Sequence, residues 1–255
     1  CGDLLPTQSY NISIGLFNVL VEQPFEDKDF IKFATHILSL KSIHIDYDEN
    51  MRDAIEYAID NDFPLFLTLL LEYYPNLLKD EEEFMDSMLL LGLQTFNRVI
   101  IERLLKYYGD MINQKIEKIN QIFPFMINNF TKPNQVDAAT LNGIKLILEI
   151  DGINPNVYEA GNTVLTHALS KGIEDLAKLL MTYDSVDVNL VEMDFENTPL
   201  MIAIQRKMKN VSKILLNKPQ VLIDVKNKNG KTALDLANSA RLSDIADLLK
   251  KRAAQ

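Results

Sequence analysis

The chain has 255 residues, 47% of them hydrophobic, which is enough for one large domain or two ordinary ones. Its net charge of −10 lies on the N-terminal side, since residues 1–128 carry 10 Lys and Arg against 21 Asp and Glu, and residues 129–255 carry 16 against 15. Acidity of this kind disfavours nucleic acid and favours a basic protein partner, and the lack of about 18 uninterrupted apolar residues predicts no transmembrane segment.

The chain starts at its single cysteine, Cys1, which excludes an intrachain disulfide. Followed by Gly and Asp, it resembles the mature start of a bacterial lipoprotein, so a lipid anchor at Cys1 and a plain chain boundary both stay open. A hydrophobic leader upstream that ends in small residues would decide for a cell-envelope location; otherwise we expect a cytoplasmic one. Next, Ile12–Val21 and Asp29–Leu40 predict a helix pair, so residues 1–45 form an N-terminal cap or degenerate repeat.

Residues 46–157 contain a hydrophobic pattern with helical spacing. Ala58, Leu93 and Val136 are each followed by apolar residues eight, eleven and twelve positions later, which predicts a buried helical stripe each time. The Leu93–Val136 spacing of 43 indicates an insertion of roughly ten residues, placed near 123–133 because Pro124 and Pro133 interrupt the helical pattern. A helical bundle without repeats is the alternative for this part.

Residues 158–255 contain three copies of one pattern. Thr163, Thr198 and Thr232 lie 35 and 34 residues apart, and an alanine follows each of them five positions later. Apolar residues then recur eight, eleven and twelve positions after each alanine, as they do upstream. A unit of this length cannot bury its apolar face alone, so we expect neighbouring units to stack and bury it jointly.

Several residues of these copies resemble the ankyrin repeat. The resemblance rests on Thr-Pro-Leu-x-x-Ala at Thr198 and on Gly172, four residues after an alanine. It also rests on a leucine-rich helix and on the Asp-Val-Asn that ends at Asn189. Lys207 departs from the family pattern, because it replaces the glycine. The resemblance implies an all-α ankyrin-repeat solenoid of about seven stacked helix-turn-helix units. The N-terminal units over residues 46–157 are degenerate ankyrin-like repeats, and residues 158–255 hold three recognisable repeats including a C-terminal cap.

The sequence contains no recognisable catalytic or metal-binding motif. His36, His44 and His167 fall outside any His-Glu-x-x-His pattern, and Cys-x-x-Cys, phosphate-loop and nucleophile-elbow motifs are missing. We therefore predict no enzyme, no cofactor and no metal site. We expect His167 on a helix surface or on the concave face. An enzyme with an unrecognised site in residues 1–157 is the alternative from another class.

The resemblance implies a non-catalytic scaffold that binds a protein partner on its concave face, which hairpin fingertips and first helices form. We expect a monomer; the alternative is a lipoprotein with an ankyrin body that acts as an inhibitor or immunity factor in the cell envelope. For Phe195, exposure as an anchor and packing back onto its neighbours are both open. Carried over position by position, the predicted partner-binding residues are Glu159, Asn162, Ser170, Lys171, Asp194, Phe195, Asn197, Gln205, Arg206, Lys228 and Lys231.

Overall fold

The computed structural model of the chain describes residues 49–61, 63–73 and 82–254, together with Lys32 and Thr35. Regular structure in these ranges is helical, apart from one isolated bridge between Glu159 and Asn162, which confirms the all-α prediction. Backbone contacts divide the chain into two units, residues 1–112 and residues 113–255. No helix in the described ranges is both long enough and apolar enough to cross a membrane.

The first unit contains two described helix pairs, in which first helices pack on each other and second helices do likewise. α1 packs on α3 and α2 packs on α4, beside the contacts within each pair. Ala58, Phe66 and Leu70 are fully buried in the first pair, and Leu93 and Ile101 in the second. The helices are α1 (Glu49–Asp60), α2 (Pro64–Tyr73), α3 (Glu82–Gln94) and α4 (Arg98–Tyr108).

The second unit, residues 113–255, has the same arrangement within itself. α7, α9 and α11 pack side by side as first helices, and α6, α8, α10 and α12 pack as second helices. Two short 3-10 turns, Gly109–Met111 and Pro133–Gln135, lie in the connections. The helices are α5 (Ile112–Asn128), α6 (Ala138–Leu148), α7 (Val164–Lys171), α8 (Glu174–Leu180), α9 (Pro199–Gln205), α10 (Lys209–Leu216), α11 (Ala233–Ser239) and α12 (Ser243–Ala253).

The three repeated threonines occupy one structural place. Thr163, Thr198 and Thr232 each precede a first helix, and each hydroxyl accepts a hydrogen bond from the backbone N–H three residues later. Pro199 is the first residue of α9, where its missing N–H removes no intrahelical bond. The threonine periodicity therefore marks equivalent helix starts.

The repeated alanine marks the turn between the two helices of a pair. The carbonyl of Ala168, Ala203 or Ala237 accepts a hydrogen bond from the backbone N–H five residues later, at 2.8–2.9 Å. The same bond ends α1, where Ala58 accepts from Phe63 at 2.8 Å. The turn described for the C-terminal copies is thus also present in the first unit.

In the second helices of the three C-terminal repeats the buried face differs from the predicted stripe, whereas Leu104 in α4 and Ile147 in α6, eleven positions after Leu93 and Val136, are buried as predicted. The residues eight and twelve positions after each alanine are buried, but the residue at eleven is not: Ile214 is 38% exposed and Leu248 is 39% exposed. The ninth position is buried instead, as Ala177 and Ala246 show. At 100° per residue, positions eight, nine and twelve centre on one direction, and position eleven lies about 110° away from it.

The proline prediction is wrong for Pro124, which lies inside α5 and is buried. Helix α5 continues for one further turn to Asn128, and residues 129–137 connect it to α6. Val136, which we aligned with the repeat alanines, lies in this connection as the residue that ends the 3-10 turn. Val136 therefore does not hold the helical position that Ala168 holds in α7.

Asparagine side chains join the loops of successive units within residues 113–255. Asn156 donates to the carbonyl of Ser185 at 2.7 Å and accepts from the N–H of Asp187 at 2.8 Å. Asn189, 33 residues later, forms the same two bonds: it donates to the carbonyl of Gln220 and accepts from the N–H of Leu222. Arg252 then donates to the carbonyl of Leu216 at the end of α10 and to those of Pro219 and Val221 in the following loop, at 2.7–2.9 Å. These bonds fix the register of one unit on the next.

Some sequence predictions fall outside the described residues. They include the lipid anchor at Cys1, the first two histidines, and the helix pair over Ile12–Val21 and Asp29–Leu40, apart from the helical residues Lys32 and Thr35. The boundaries at residues 45 and 157 and the insertion near 123–133 stay predictions.

Candidate partner-binding groove

Hairpin fingertips precede α7, α9 and α11, which are the first helices of the fifth, sixth and seventh of the seven predicted repeats. Neighbouring fingertips are joined through the backbone: the N–H of Met193 donates to the carbonyl of Gly161, and the N–H of Lys228 donates to that of Phe195, both at 2.9 Å. Gly161 and Gly230 have positive φ values of 78° and 70°, as tight hairpins require. The fingertips therefore form a continuous hydrogen-bonded edge.

A buried carboxylate organises the sixth fingertip. Glu192 is only 7% exposed, and its two oxygens accept hydrogen bonds from the backbone N–H groups of Asp194, Phe195 and Asn197 at 2.8–3.1 Å. The side-chain amide of Asn197 adds another bond at 3.0 Å. Donors surround the charge on all sides, which is what allows a carboxylate to be buried without a cationic partner.

The Glu192 network extends to the seventh fingertip through two asparagines. Asn197 uses its side-chain oxygen to accept from the amide of Asn227 at 2.8 Å. Asn227 in turn accepts from the N–H groups of Asn229 and Lys231 at 3.1 and 2.9 Å. One set of side chains thus fixes the backbone of two fingertips at once.

A groove of about 440 Å³ lies between the fingertips and the ends of the first helices. One wall comes from the fifth and sixth fingertips and the other from α7 and α9, with the end of α5 closing one side. Phe195 of the sixth fingertip lines the groove and is 56% exposed. Met193, on the same fingertip, is 57% exposed but does not line the groove. Phe195 does not fold back into the core.

The structure brings eight of the eleven predicted partner-binding residues to this groove. The other three surround it: Glu159 pairs with Asn162 in the fifth hairpin, and Lys228 and Lys231 belong to the seventh, where Lys228 donates to the carbonyl of Asp194 at 3.2 Å. The eight lining residues are Asn162, Ser170, Lys171, Asp194, Phe195, Asn197, Gln205 and Arg206.

Sequence reasoning missed Asn128, Glu192 and Ile202, which also line the groove. Asn128 closes α5 and donates to the carbonyl of Glu159 at 2.9 Å. It belongs to a helix whose sequence lacks the repeat pattern, so no signal marked it. For Glu192, one of three acidic residues that alternate along the fingertip with Asp194 and Glu196, the sequence gave no indication of burial.

His167 lies at the floor of the groove and is buried. Its Nε2 is 2.8 Å from the carbonyl oxygen of Phe130, so this nitrogen carries the hydrogen. Burial lowers the pKa of His167, the bond to Phe130 opposes that shift, and nearby Lys171 adds to it. His167 therefore faces the groove, on the concave side, as a buried imidazole that is neutral near pH 7.

Two cations in the groove have no partner. Lys171 ends α7 and Arg206 follows α9, one repeat further on. Neither side chain forms a hydrogen bond or ion pair with any residue of the described ranges, although the backbone N–H of Arg206 donates to the carbonyl of Ile202. On the opposite wall, Asp194 is the exposed carboxylate, whereas the oxygens of Glu192 are occupied by fingertip donors.

No metal centre accompanies the groove: the described part of the chain has no group of three or more His, Cys, Asp and Glu that could hold an ion. Helix pairs repeated at a period of 34–35 residues, with equivalent caps and turns, define a helical repeat protein.

Comparison with known proteins identifies the family of these repeats. The family model "Ankyrin repeats (3 copies)" matches residues 136–222 and 186–255. In shape, the chain is similar to the crystal structure of the ankyrin repeat domain of Bcl-3, described as a unique member of the IkappaB protein family. The TM-score is 0.57 at 16% identity, over 92% of this chain and 97% of that one, which shows the fold alone. No curated protein sequence matches the chain. Residues 136–255 of the chain belong to the ankyrin-repeat family.

Proposed function

We propose that this ankyrin-repeat protein is a non-catalytic scaffold that binds a protein partner in the groove between the fifth and sixth fingertips and helices α7 and α9. Ankyrin repeats are in general protein-interaction modules, which supports the scaffold part of the proposal. The observation that carries the groove is Phe195, an aromatic ring that is 56% exposed in a groove also lined by the unpaired side chains of Lys171 and Arg206. Exposed aromatic and Arg side chains dominate binding energy at protein interfaces.

The remaining expectations are predictions that do not depend on the groove. A basic partner follows from the acidity of residues 1–128, so we expect it on that part of the chain. The monomeric state, the lipid anchor at Cys1 and an inhibitory role in the cell envelope rest on sequence alone and stay open.

The test is a titration of the captured partner against two matched variants. The partner is obtained by affinity capture on the full chain, identified by mass spectrometry and then purified. A Phe side chain presents roughly 200 Å², so burying the exposed 56% removes about 110 Å² from water, or up to about 3 kcal/mol. We therefore expect Phe195→Ala to weaken binding by about 1–3 kcal/mol without changing the stability of the fold.

Met193→Ala is the control, because Met193 lies on the same fingertip with the same exposure but outside the groove. It should leave the affinity within about twofold of the unmodified chain. Equal affinities for the two variants would reject the groove as the binding site.

A further inference from the structure

The groove has one cationic wall and one apolar ring, and this combination specifies the chemistry of its ligand. Lys171 and Arg206 hold equivalent positions in consecutive repeats, so their charges lie on the same wall. Each cation follows a polar groove residue, Ser170 before Lys171 and Gln205 before Arg206. A ligand carboxylate facing this wall would meet two positive charges and neutral hydrogen-bonding groups.

The rest of the groove offers little negative charge that could bind a basic ligand. Glu192 has both oxygens occupied by fingertip donors, which leaves Asp194 as the one lining carboxylate with exposure. His167 is neutral near pH 7 because burial lowers its pKa, and its Nε2–H is used by Phe130. The unsatisfied charge inside the groove is therefore positive on the helix side.

We propose that the groove takes an extended peptide segment whose acidic residue faces Lys171 and Arg206 and whose apolar residue packs on Phe195. The segment is recognised by its carboxylate and its apolar side chain together. The inference rests on the proposed binding function and adds the chemistry of the partner. The acidic ligand proposed for the groove differs from the basic partner that we expect on residues 1–128, because that part of the chain is acidic.

A displayed library of random dodecapeptides, selected on the immobilised full chain, tests the charge preference without knowledge of the natural partner. The comparison protein is the double variant Lys171→Glu with Arg206→Glu. The matched control is Lys250→Glu with Lys251→Glu, because both lysines are exposed in the last turn of α12, as Lys171 is in the last turn of α7. Thermal unfolding of each variant verifies that it is folded before selection.

We expect peptides selected on the unmodified chain to combine acidic with aromatic or aliphatic residues. A synthetic peptide from this pool should bind the Lys171→Glu and Arg206→Glu double variant at least about tenfold more weakly, and the α12 control within about twofold. Replacing the acidic residues of that peptide by their amides should cause a similar loss, and raising the salt concentration should weaken binding.

The outcomes separate this inference from the proposed function. Peptides without acidic enrichment that nevertheless lose affinity on Phe195→Ala would overturn the acidic preference and leave the groove as a binding site. Peptides that bind every variant equally would overturn both. Failure to enrich any peptide would count against the inference, because an extended segment of this chemistry is present in the library.

Discussion

The burial of Glu192 leads to a prediction about how the groove is held in shape. In Glu192→Gln, one carboxylate oxygen becomes an NH₂ group, which faces either the backbone N–H groups of Asp194 and Phe195 or the two donors of Asn197. Two donors then oppose each other, and the charge that strengthened the remaining bonds is lost. The side chain keeps its size, so packing is unchanged and the effect isolates hydrogen bonding.

The magnitude follows from which donors water can reach. Asp194 and Phe195 are exposed, so solvent compensates part of their loss, whereas Asn197 is 5% exposed and its two donors depend on Glu192 alone. A hydrogen bond to a charged group contributes about 1.5–3 kcal/mol, and an unsatisfied buried donor costs about 1–3 kcal/mol. We therefore expect Glu192→Gln to lower the free energy of unfolding by about 2 kcal/mol, and Glu192→Ala by about 2–5 kcal/mol.

Urea unfolding followed by far-UV circular dichroism measures both changes. Glu196→Gln is the control, because Glu196 lies on the same fingertip, is exposed and forms no side-chain hydrogen bond in the described structure. It should change the free energy of unfolding by less than about 0.5 kcal/mol. If Glu192→Gln were as stable as this control, the carboxylate would not organise the fingertip, and the position of Phe195 would need another cause.

Two further predictions concern the turn and the histidine. Lys207 has a φ of +58° where the fifth repeat has Gly172 at +76°, so Lys207→Gly should raise the free energy of unfolding by about 0.5–1 kcal/mol in urea, whereas Lys207→Ala keeps its Cβ and should not. A gain with both variants would refute backbone strain as the cause. For His167, burial lowers the folded-state pKa below the ordinary value of about 6.5, so its stabilising contribution is complete above that pH and is lost as the pH falls through the lowered pKa. Unfolding measured between about pH 7.5 and about pH 5 should therefore depend less on pH in His167→Gln, and parallel curves would contradict this.

The sequence predicted the fold where the residues themselves determine a local conformation. A threonine caps a helix through its own hydroxyl, and a glycine permits a positive φ, so Thr163 and Gly172 carried their structural roles in their chemistry. The period of these residues then placed the equivalent side chains of three repeats. Most of the predicted groove residues follow from this register, because fingertip and helix-end positions recur with it.

The failures occurred where a position depends on contacts that are distant in sequence. Position eleven of the second helix has the same residue types as its buried neighbours, and only stacking on both sides decides that Ile214 faces outward. Pro124 matches the composition of a break, yet it lies within α5, where burial among neighbouring residues outweighs the lost backbone bond. Asn128 is held in the groove by a bond to Glu159, 31 residues away, and Glu192 by a bond from Asn197, five residues away. No local sequence pattern encodes these bonds.

The departures from the repeat pattern are concentrated in the repeat that forms most of the groove. The sixth repeat has Glu196 and Lys207 at its two left-handed positions, each with a φ of +58°. At the equivalent positions the fifth repeat has Gly161 and Gly172, with Ala160 at +48° beside them, and the seventh has Gly230 and Arg241, the latter also at +58°. The sixth repeat also buries Glu192 and exposes Phe195. A repeat under selection for stability alone would favour glycine at both places, because a side chain there costs about 1 kcal/mol. The proposed binding function gives a reason for strain to persist at both positions of the sixth repeat, which also carries Phe195 and the unpaired side chain of Arg206.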